Sequence, residues 1–240
     1  MQFSLLSYNI RKGKGYRKST PSIKDIADYL QQTHCDILFC QEITESTTDH
    51  GSESQCCNIA HILQMNHHYG PNAYHRQGNH GNAIFSKFET EYHCNLNIST
   101  SALEYRGILY AVVKMPNTKR LHLFNVHLGL TPGQRQKQMN LLLTYINKVV
   151  PHDEPLIIAG DFNDFDGKVE KLITENKNLK NAMHALPEKN RKTWPSYKPK
   201  FQLDHVFYHN LTLKEVKVFE NDAPGESLSD HLPIYSVFLL

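Results

Sequence analysis

Apolar positions along the chain come in short runs, and most of those runs stop on a polar residue. FSLLSYN ends at Asn9, DILFCQE at Glu42, RLHLFNVH at His127 and PLIIAGD at Asp161. Their length and β-branched or aromatic content predict strands, as do residues 83–86, 109–115, 203–208, 213–219 and 234–239. Helical spacing appears between them. Ile23, Ile26, Ala27 and Leu30 follow Pro21, with Ser22 or Thr20 placed to cap. Ser52 and Gln55 fit a capping box for a helix through Ile62 and Leu63. Thr131-Pro132 opens a third helix, with Met139, Leu142, Leu143 and Ile146 on one side. Near-continuous apolar strands imply burial on both faces, hence two sheets packed together and covered by helices. The pattern therefore predicts a layered α/β sandwich whose strand ends gather polar residues at one rim.

The run IIAGDFNDFDG, residues 157–167, sets Asp161, Asn163, Asp164 and Asp166 within six positions. Carboxylates this close need a positive partner or good solvation. A calcium loop fails the test: counting from Asp161, position 5 is Phe165, and position 6 is Asp166 where glycine is required. Asp164 and Asp166 are expected to cap or solvate the loop before Lys168.

The eight polar residues Asn9, Glu42, His127, Asp161, Asn163, Asp204, Asp230 and His231 each interrupt or close an apolar segment. Singly, each could be a turn residue, a cap or a satisfied core histidine. Together, at the same kind of place, they point to a site. Glu42 is the best single metal ligand, with Asn9 and Asp230 able to assist. Oxygen ligands with few charges suit Mg²⁺ or Mn²⁺. Asp161 and Asn163 lie two apart, so in extended backbone they point to the same side. One can position an attacking water while the other donates a hydrogen bond to charge developing on a substrate. His231 paired with Asp204 makes a carboxylate–imidazole couple that favours imidazolium, able to stabilise developing negative charge.

The segments YNIRKG, LFCQE, NVHLGL, GDFND, LDHVFY and SDHLPI, in this order, resemble the endonuclease/exonuclease/phosphatase superfamily. That superfamily includes deoxyribonuclease I, exonuclease III-type enzymes, neutral sphingomyelinases and inositol-polyphosphate 5-phosphatases. The resemblance spans Ser7 to Pro233 and is nearest to small bacterial members of unassigned substrate, through HGNAIFS, RGILY and TWPSYKPKFQLDH. It implies a four-layer α/β/β/α sandwich, a divalent metal, and phosphoester hydrolysis. It also implies that His127 is the second histidine, contacting phosphate or helping to protonate the leaving oxygen.

Composition narrows the setting. A chain of 240 residues with 40% apolar content is expected to form one domain over 1–240. A net charge of +2 does not by itself mark a nucleic-acid binder. Five cysteines without a C-x-x-C pair offer no disulfide framework, zinc ribbon or redox motif. Reduced thiols, no signal-like apolar run and no transmembrane segment lead us to expect a cytoplasmic protein with no obligate protein partner, export by a signal-independent route being left open.

The substrate is less legible. RKGKGYRK places Arg11, Lys12, Lys14, Arg17 and Lys18 directly after Asn9. EKNRKTWPSYKPK adds Lys189, Arg191, Lys192, Lys198 and Lys200 among Trp194 and Tyr197. Such loops grip a polyanionic backbone, stack bases, approach an anionic membrane, or are merely solvated. Lys12 and Trp194 are the candidate substrate contacts, and Arg106 either reaches the substrate phosphate or pins a turn. The expected substrate is a phosphodiester of nucleic acid; the alternatives are a phospholipid or small phosphate ester, and an inert binding module that kept the fold.

Overall fold

The computed structural model describes residues 1–16, 22–46, 54–75, 78–101, 104–116, 119–176, 179–219 and 228–240. The first half runs β1 (Gln2–Asn9), α1 (Ile23–Gln32), β2 (Ile37–Ser46), α2 (Gln55–Leu63), β3 (Asn66–His75), β4 (Gly78–Ser86). Next come β5 (Thr90–Asn97), β6 (Gly107–Lys114), β7 (Arg120–His127), α3 (Pro132–Val149), β8 (Leu156–Asp161) and α4 (Lys168–Asn176). The chain closes with β9 (Lys180–Asn181), β10 (Asp204–His209), β11 (Thr212–Val218) and β12 (Ile234–Leu239).

The strands form two six-stranded sheets, ordered β11-β12-β1-β2-β4-β3 and β5-β6-β7-β8-β10-β9. In each sheet one central pair is parallel, β1 with β2 and β7 with β8. Strand alternation explains the unbroken apolar runs. In β1, Phe3 and Leu5 enter the core between the sheets, while Leu6 and Tyr8 face Ile26, Leu30 and Ile59 of α1 and α2. In β8, Ile157 and Ala159 point to the same inner core, and Leu156 and Ile158 pack on α3 residues such as Met139 and Ile146. The result is the four-layer α/β/β/α sandwich.

The inner core is not wholly apolar. Asn125 of β7 donates from Nδ2 to the carbonyls of Cys40 (2.9 Å) and Ala83 (2.8 Å), and its Oδ1 accepts from Gln41 Nε2 at 2.7 Å. Asn82 donates back to Gly107 O at 3.0 Å. These side chains are fully buried and tie one sheet to the other. The tie lies where the β2–β4 register shifts between Cys40 and Ile43, a bulge that leaves ladder groups in need of partners.

Ser22 caps α1 through a capping box with Asp25, and Thr131 caps α3 in the same way with Gln134. Ser54, not Ser52, caps α2 by accepting from Cys57 N; Ser52 and Thr20 lie outside the described residues. Strands β3 and β5 and helix α4 escape a reading of pattern. β3 carries Gly70 and Pro71, tolerated because it is an edge strand, and β5 is an edge strand that is mostly partly or fully exposed. No helix among the described residues is long and apolar enough to cross a membrane, and all five cysteines are free thiols.

Asp164 and Asp166 separate in role. Asp164 is buried and accepts from Val169 N (3.1 Å) and Glu170 N (3.0 Å), capping α4. Asp166 is an ion-pair partner rather than a solvated loop residue, bound to Nη2 of the buried Arg135 at 2.9 Å and to Lys168 Nζ at 3.0 Å. Burial pushes the Asp166 carboxyl up, but the hydrogen bonds from Lys168 and Arg135 outweigh it and hold it at about 2. A depressed carboxyl stabilises the fold above its unfolded value near 4, and the benefit is lost as pH falls toward about 2. Asp166→Asn is therefore expected to lower unfolding free energy at pH 7 by about 1 kcal/mol, after allowing for solvent screening. In denaturant titrations the gap to wild type closes between about pH 4 and pH 2; a gap independent of pH would contradict the pair.

Candidate active site

Strand register assembles the site. His127 pairs with Asp161 across β7 and β8, and Asp204 pairs with Asp161 across β10 and β8. Three functional side chains thus stand in a row at one sheet end. Gly160, just before Asp161, has φ +140°, and a Cβ there would lie 2.0 Å from Val126 O, so β7 and β8 approach this closely because that position is glycine.

Asp161 is the hub and is 2% exposed. Its Oδ1 accepts from Asn163 N at 2.9 Å, and its Oδ2 accepts from Asn9 Nδ2 at 3.0 Å. The same Oδ2 lies 3.5 Å from His127 Nε2 and 3.7 Å from His231 Nε2. His231 donates from Nδ1 to Asp204 Oδ2 at 2.9 Å, forming the expected couple. Asn163 arrives differently from expectation: the backbone is not extended past Asp161, and Asn163 takes φ +49°. This left-handed turn brings its amide onto Leu128 O at 2.9 Å, on the Asp161 side of the loop.

Electrostatics follow from burial and proximity. Burial raises Asp161, Asp204 adds to it, and the opposing pull of His231 and of hydrogen bonds from Asn163 and Asn9 leaves it at about 7. Burial alone would lower His231, yet the carboxylates of Asp204 and Asp161 carry it up to about 10. Burial, then Arg106, push His127 well below its usual range, which keeps it neutral. The site therefore presents one imidazolium, one neutral imidazole and one carboxyl poised near neutrality.

Glu42 sits within β2 rather than at its end, in the bulge, with φ +55°. Its Oε1 accepts from Asn9 Nδ2 at 3.3 Å, so one amide bridges Glu42 and Asp161. Asn9 Oδ1 accepts from Arg11 N. Asp230 turns elsewhere: its Oδ2 lies 3.6 Å from Arg11 Nε and accepts from Trp194 Nε1 at 3.4 Å. The compact group with ligand chemistry among the described residues is instead Asp161, Asp204 and His231, whose ligand atoms fall within 4.8 Å of one another. His231 has Nδ1 committed to Asp204 and favours imidazolium, so that trio suits proton handling. Glu42 and Asp161 both accept from the one Asn9 amide, which places two carboxylates around it, an oxygen-rich donor set that fits a hard divalent cation.

The candidate substrate contacts divide. Trp194 lies beside Asp230, in T-shaped contact with Phe165 and near Phe201. The charge of Lys12 acts on His127, and its backbone takes φ +59°. Arg106 pins a turn: Nε donates to Leu128 O at 3.1 Å and faces Glu104 at 3.6 Å, with the side chain 15% exposed. Arg17 and Lys18 lie outside the described residues.

Two positioning residues escape the sequence reading. Thr193 is fully buried; its hydroxyl donates to Asp204 Oδ2 at 2.6 Å and accepts from Leu203 N at 3.2 Å. Ser229 donates to Asn9 O at 2.6 Å and receives His231 N at 3.3 Å. Both belong to the segments TWPSYKPKFQLDH and SDHLPI, where a small hydroxyl beside a functional acid is the available signal.

Residues 6–231 match the model of the Endonuclease/Exonuclease/phosphatase family. The chain is 28% identical to the uncharacterized protein YbhP of Escherichia coli K12, over 97% of this chain and 94% of the relative. It is 32% identical to a UPF0294 protein of Vibrio parahaemolyticus over 56% of this chain and 46% of that one. An endonuclease/exonuclease/phosphatase from Beutenbergia cavernae superposes with a TM-score of 0.83 at 16% identity, covering 100% of this chain and 72% of the other. TDP2 from Caenorhabditis elegans gives 0.77 at 22% identity, covering 100% and 75%.

If Thr193 and His231 share Asp204 as the geometry indicates, Thr193→Val should cost about 1.5–3 kcal/mol of stability, the worth of a hydrogen bond to a charged group, while Thr193→Ser retains most of it. Chemical denaturation of both variants tests this. In the same assay, Asp204→Ala and His231→Ala should be non-additive by about 1 kcal/mol or more; strict additivity would dissolve the couple.

Proposed function

Because the chain belongs to the Endonuclease/Exonuclease/phosphatase family, whose members hydrolyse phosphoester bonds, we propose that it is a Mg²⁺- or Mn²⁺-dependent phosphodiesterase acting on nucleic acid. The observation that carries the reading is the convergence of Asn9, His127 and His231 on one buried carboxyl, that of Asp161. The unit is one catalytic domain over residues 1–240, and its five free thiols fit a cytoplasmic setting.

Each residue has a task consistent with its protonation. Asp161, at about 7, accepts a hydrogen bond from an attacking water and takes its proton. Asn9 fixes the Asp161 oxygen that His127 and His231 also face. His231, protonated and held by Asp204, places positive charge where negative charge grows on the phosphate. His127, neutral and buried, donates from Nε2 toward phosphate or leaving oxygen. Asn163 uses one amide hydrogen on Leu128 O and keeps a second for a phosphate oxygen. Glu42, with Asn9 beside it, would hold a divalent cation, which would supply further positive charge to the phosphate oxygens; Asp230, the other ligand expected from the sequence, instead faces Arg11 and Trp194. Lys12 and Trp194 contact the substrate at the mouth.

The expected result is Mg²⁺-dependent nicking of supercoiled plasmid or cleavage of a circular single strand, lost in excess EDTA. Asp161→Asn should lower the rate about 10²–10⁴-fold, the usual contribution of a general base. A folded protein that leaves both nucleic acids intact but releases phosphate or headgroup from a phospholipid would overturn the substrate assignment. Full activity without metal would overturn the role of Glu42.

A further inference from the structure

Nine large apolar side chains are exposed among the described residues, and five of them, Tyr105, Leu130, Phe165, Tyr197 and Phe201, sit on loops at the rim of the site. These loops follow β7 and β8 or precede β6 and β10. Phe165 lies two residues past Asn163 and Phe201 three before Asp204, with ring centroids 5.4 Å apart. Both touch Trp194, which donates to Asp230 next to His231. Behind them opens a cavity of about 300 Å³, walled by Phe165 and Phe201 and completed by Gln202, Lys192 and Lys200. Across Asp230, Tyr197 stacks on Tyr16 at 5.0 Å and 16°, and the Arg11 guanidinium lies 5.9 Å over Tyr16.

From this arrangement we infer that the cavity is a nucleobase subsite and that the enzyme acts on unpaired strands. The inference rests on the reading of the site as a nucleic-acid phosphodiesterase. Aromatic faces at a groove accept a base only when that base is unstacked from its neighbours, and stacking of this kind is indifferent to sequence. The cavity lining includes the carboxyl residues Asp164, Glu170 and Glu188. Those groups repel a phosphate or an anionic lipid headgroup and leave a neutral base as the fitting occupant. Lys192 and Lys200 line the same cavity and can pair with the phosphates that flank that base.

The test is fluorescence anisotropy with a labelled twelve-nucleotide strand and the same sequence as duplex, in EDTA so that no turnover occurs. The single strand should bind at least tenfold more tightly than the duplex, and Phe165→Ala with Phe201→Ala should erase most of that margin. Hydrolysis of methyl p-nitrophenyl phosphate with Mg²⁺, too small to span both sites, should be unchanged in the double variant, which also reports its folding. Should that variant misfold, Lys192→Glu with Lys200→Glu replaces it and should weaken strand binding at least fivefold. Equal binding of strand and duplex, unaltered binding by the variants, or preferential binding to vesicles of anionic phospholipid would overturn the inference. Selective strand binding by a wild type that hydrolyses no diester would instead refute the phosphodiesterase reading and leave the subsite standing.

Discussion

The inter-sheet tie made by Asn125 is the constraint on which the site depends. Two sheets joined by apolar side chains alone could slide past one another with little change in buried area, because hydrophobic contact is non-directional. Asn125, Gln41 and Asn82 remove that freedom by hydrogen bonds of 2.7 to 3.0 Å that join β6 and β7 of one sheet to β2 and β4 of the other. Breaking such a tie strands buried polar groups at about 1–3 kcal/mol each. The tie lies next to the bulge that carries Glu42, and Asn125 stands two residues before His127 on the same face of β7. One network thus fixes the carboxylate of one sheet against the imidazole and carboxyls of the other.

With the sheets fixed, electrostatics sort the titratable groups. Asp161, Asp204 and His231 are all buried, so each would shift toward its neutral form if alone. Thr193 and His231 both donate to one oxygen of Asp204, and His231 stays charged because two carboxylates surround it. Asp161 also accepts two hydrogen bonds, from Asn163 N and Asn9 Nδ2, but burial and the neighbouring Asp204 outweigh them and leave it at about 7. Burial and neighbouring charge thereby create an acid and a base within 4 Å of each other. Breaking either partner of the couple leaves an uncompensated buried charge, which is why the local structure invests so many backbone groups around residues 193, 203, 229 and 231.

Site residues, the apolar rim and basic residues share the same loops, so their positions are coupled by short tethers. Phe165 is carried by the turn that positions Asn163, and Thr193 is followed at once by Trp194. A displacement of either loop moves both a side chain of the site and its neighbouring aromatic side chain. Surface loops ordinarily tolerate drift, but these are laced down: Ser196 N donates to Asp230 O, Leu232 N to Thr193 O, and Phe201 pairs with Trp194.

The sequence by itself determined the layers and the family, and it singled out Asp161 and six side chains that the structure gathers around it, because each followed from local periodicity or from a short ordered segment. Runs such as FSLLSYN and PLIIAGD are apolar at both strand parities, which only burial between two layers explains. What the tertiary structure decided were the relations between distant segments. Asp230 turned toward Arg11 rather than joining Glu42, Asp166 found a buried arginine 31 residues away, and Arg106 pinned a turn. Thr193, Ser229 and Asn125 gained their roles from partners 11, 220 and 85 residues distant. A hydroxyl or amide in an apolar strand carries no mark of which partner it will meet. Periodicity records which face is buried, and only the register and stacking of the two sheets specify what that face is buried against.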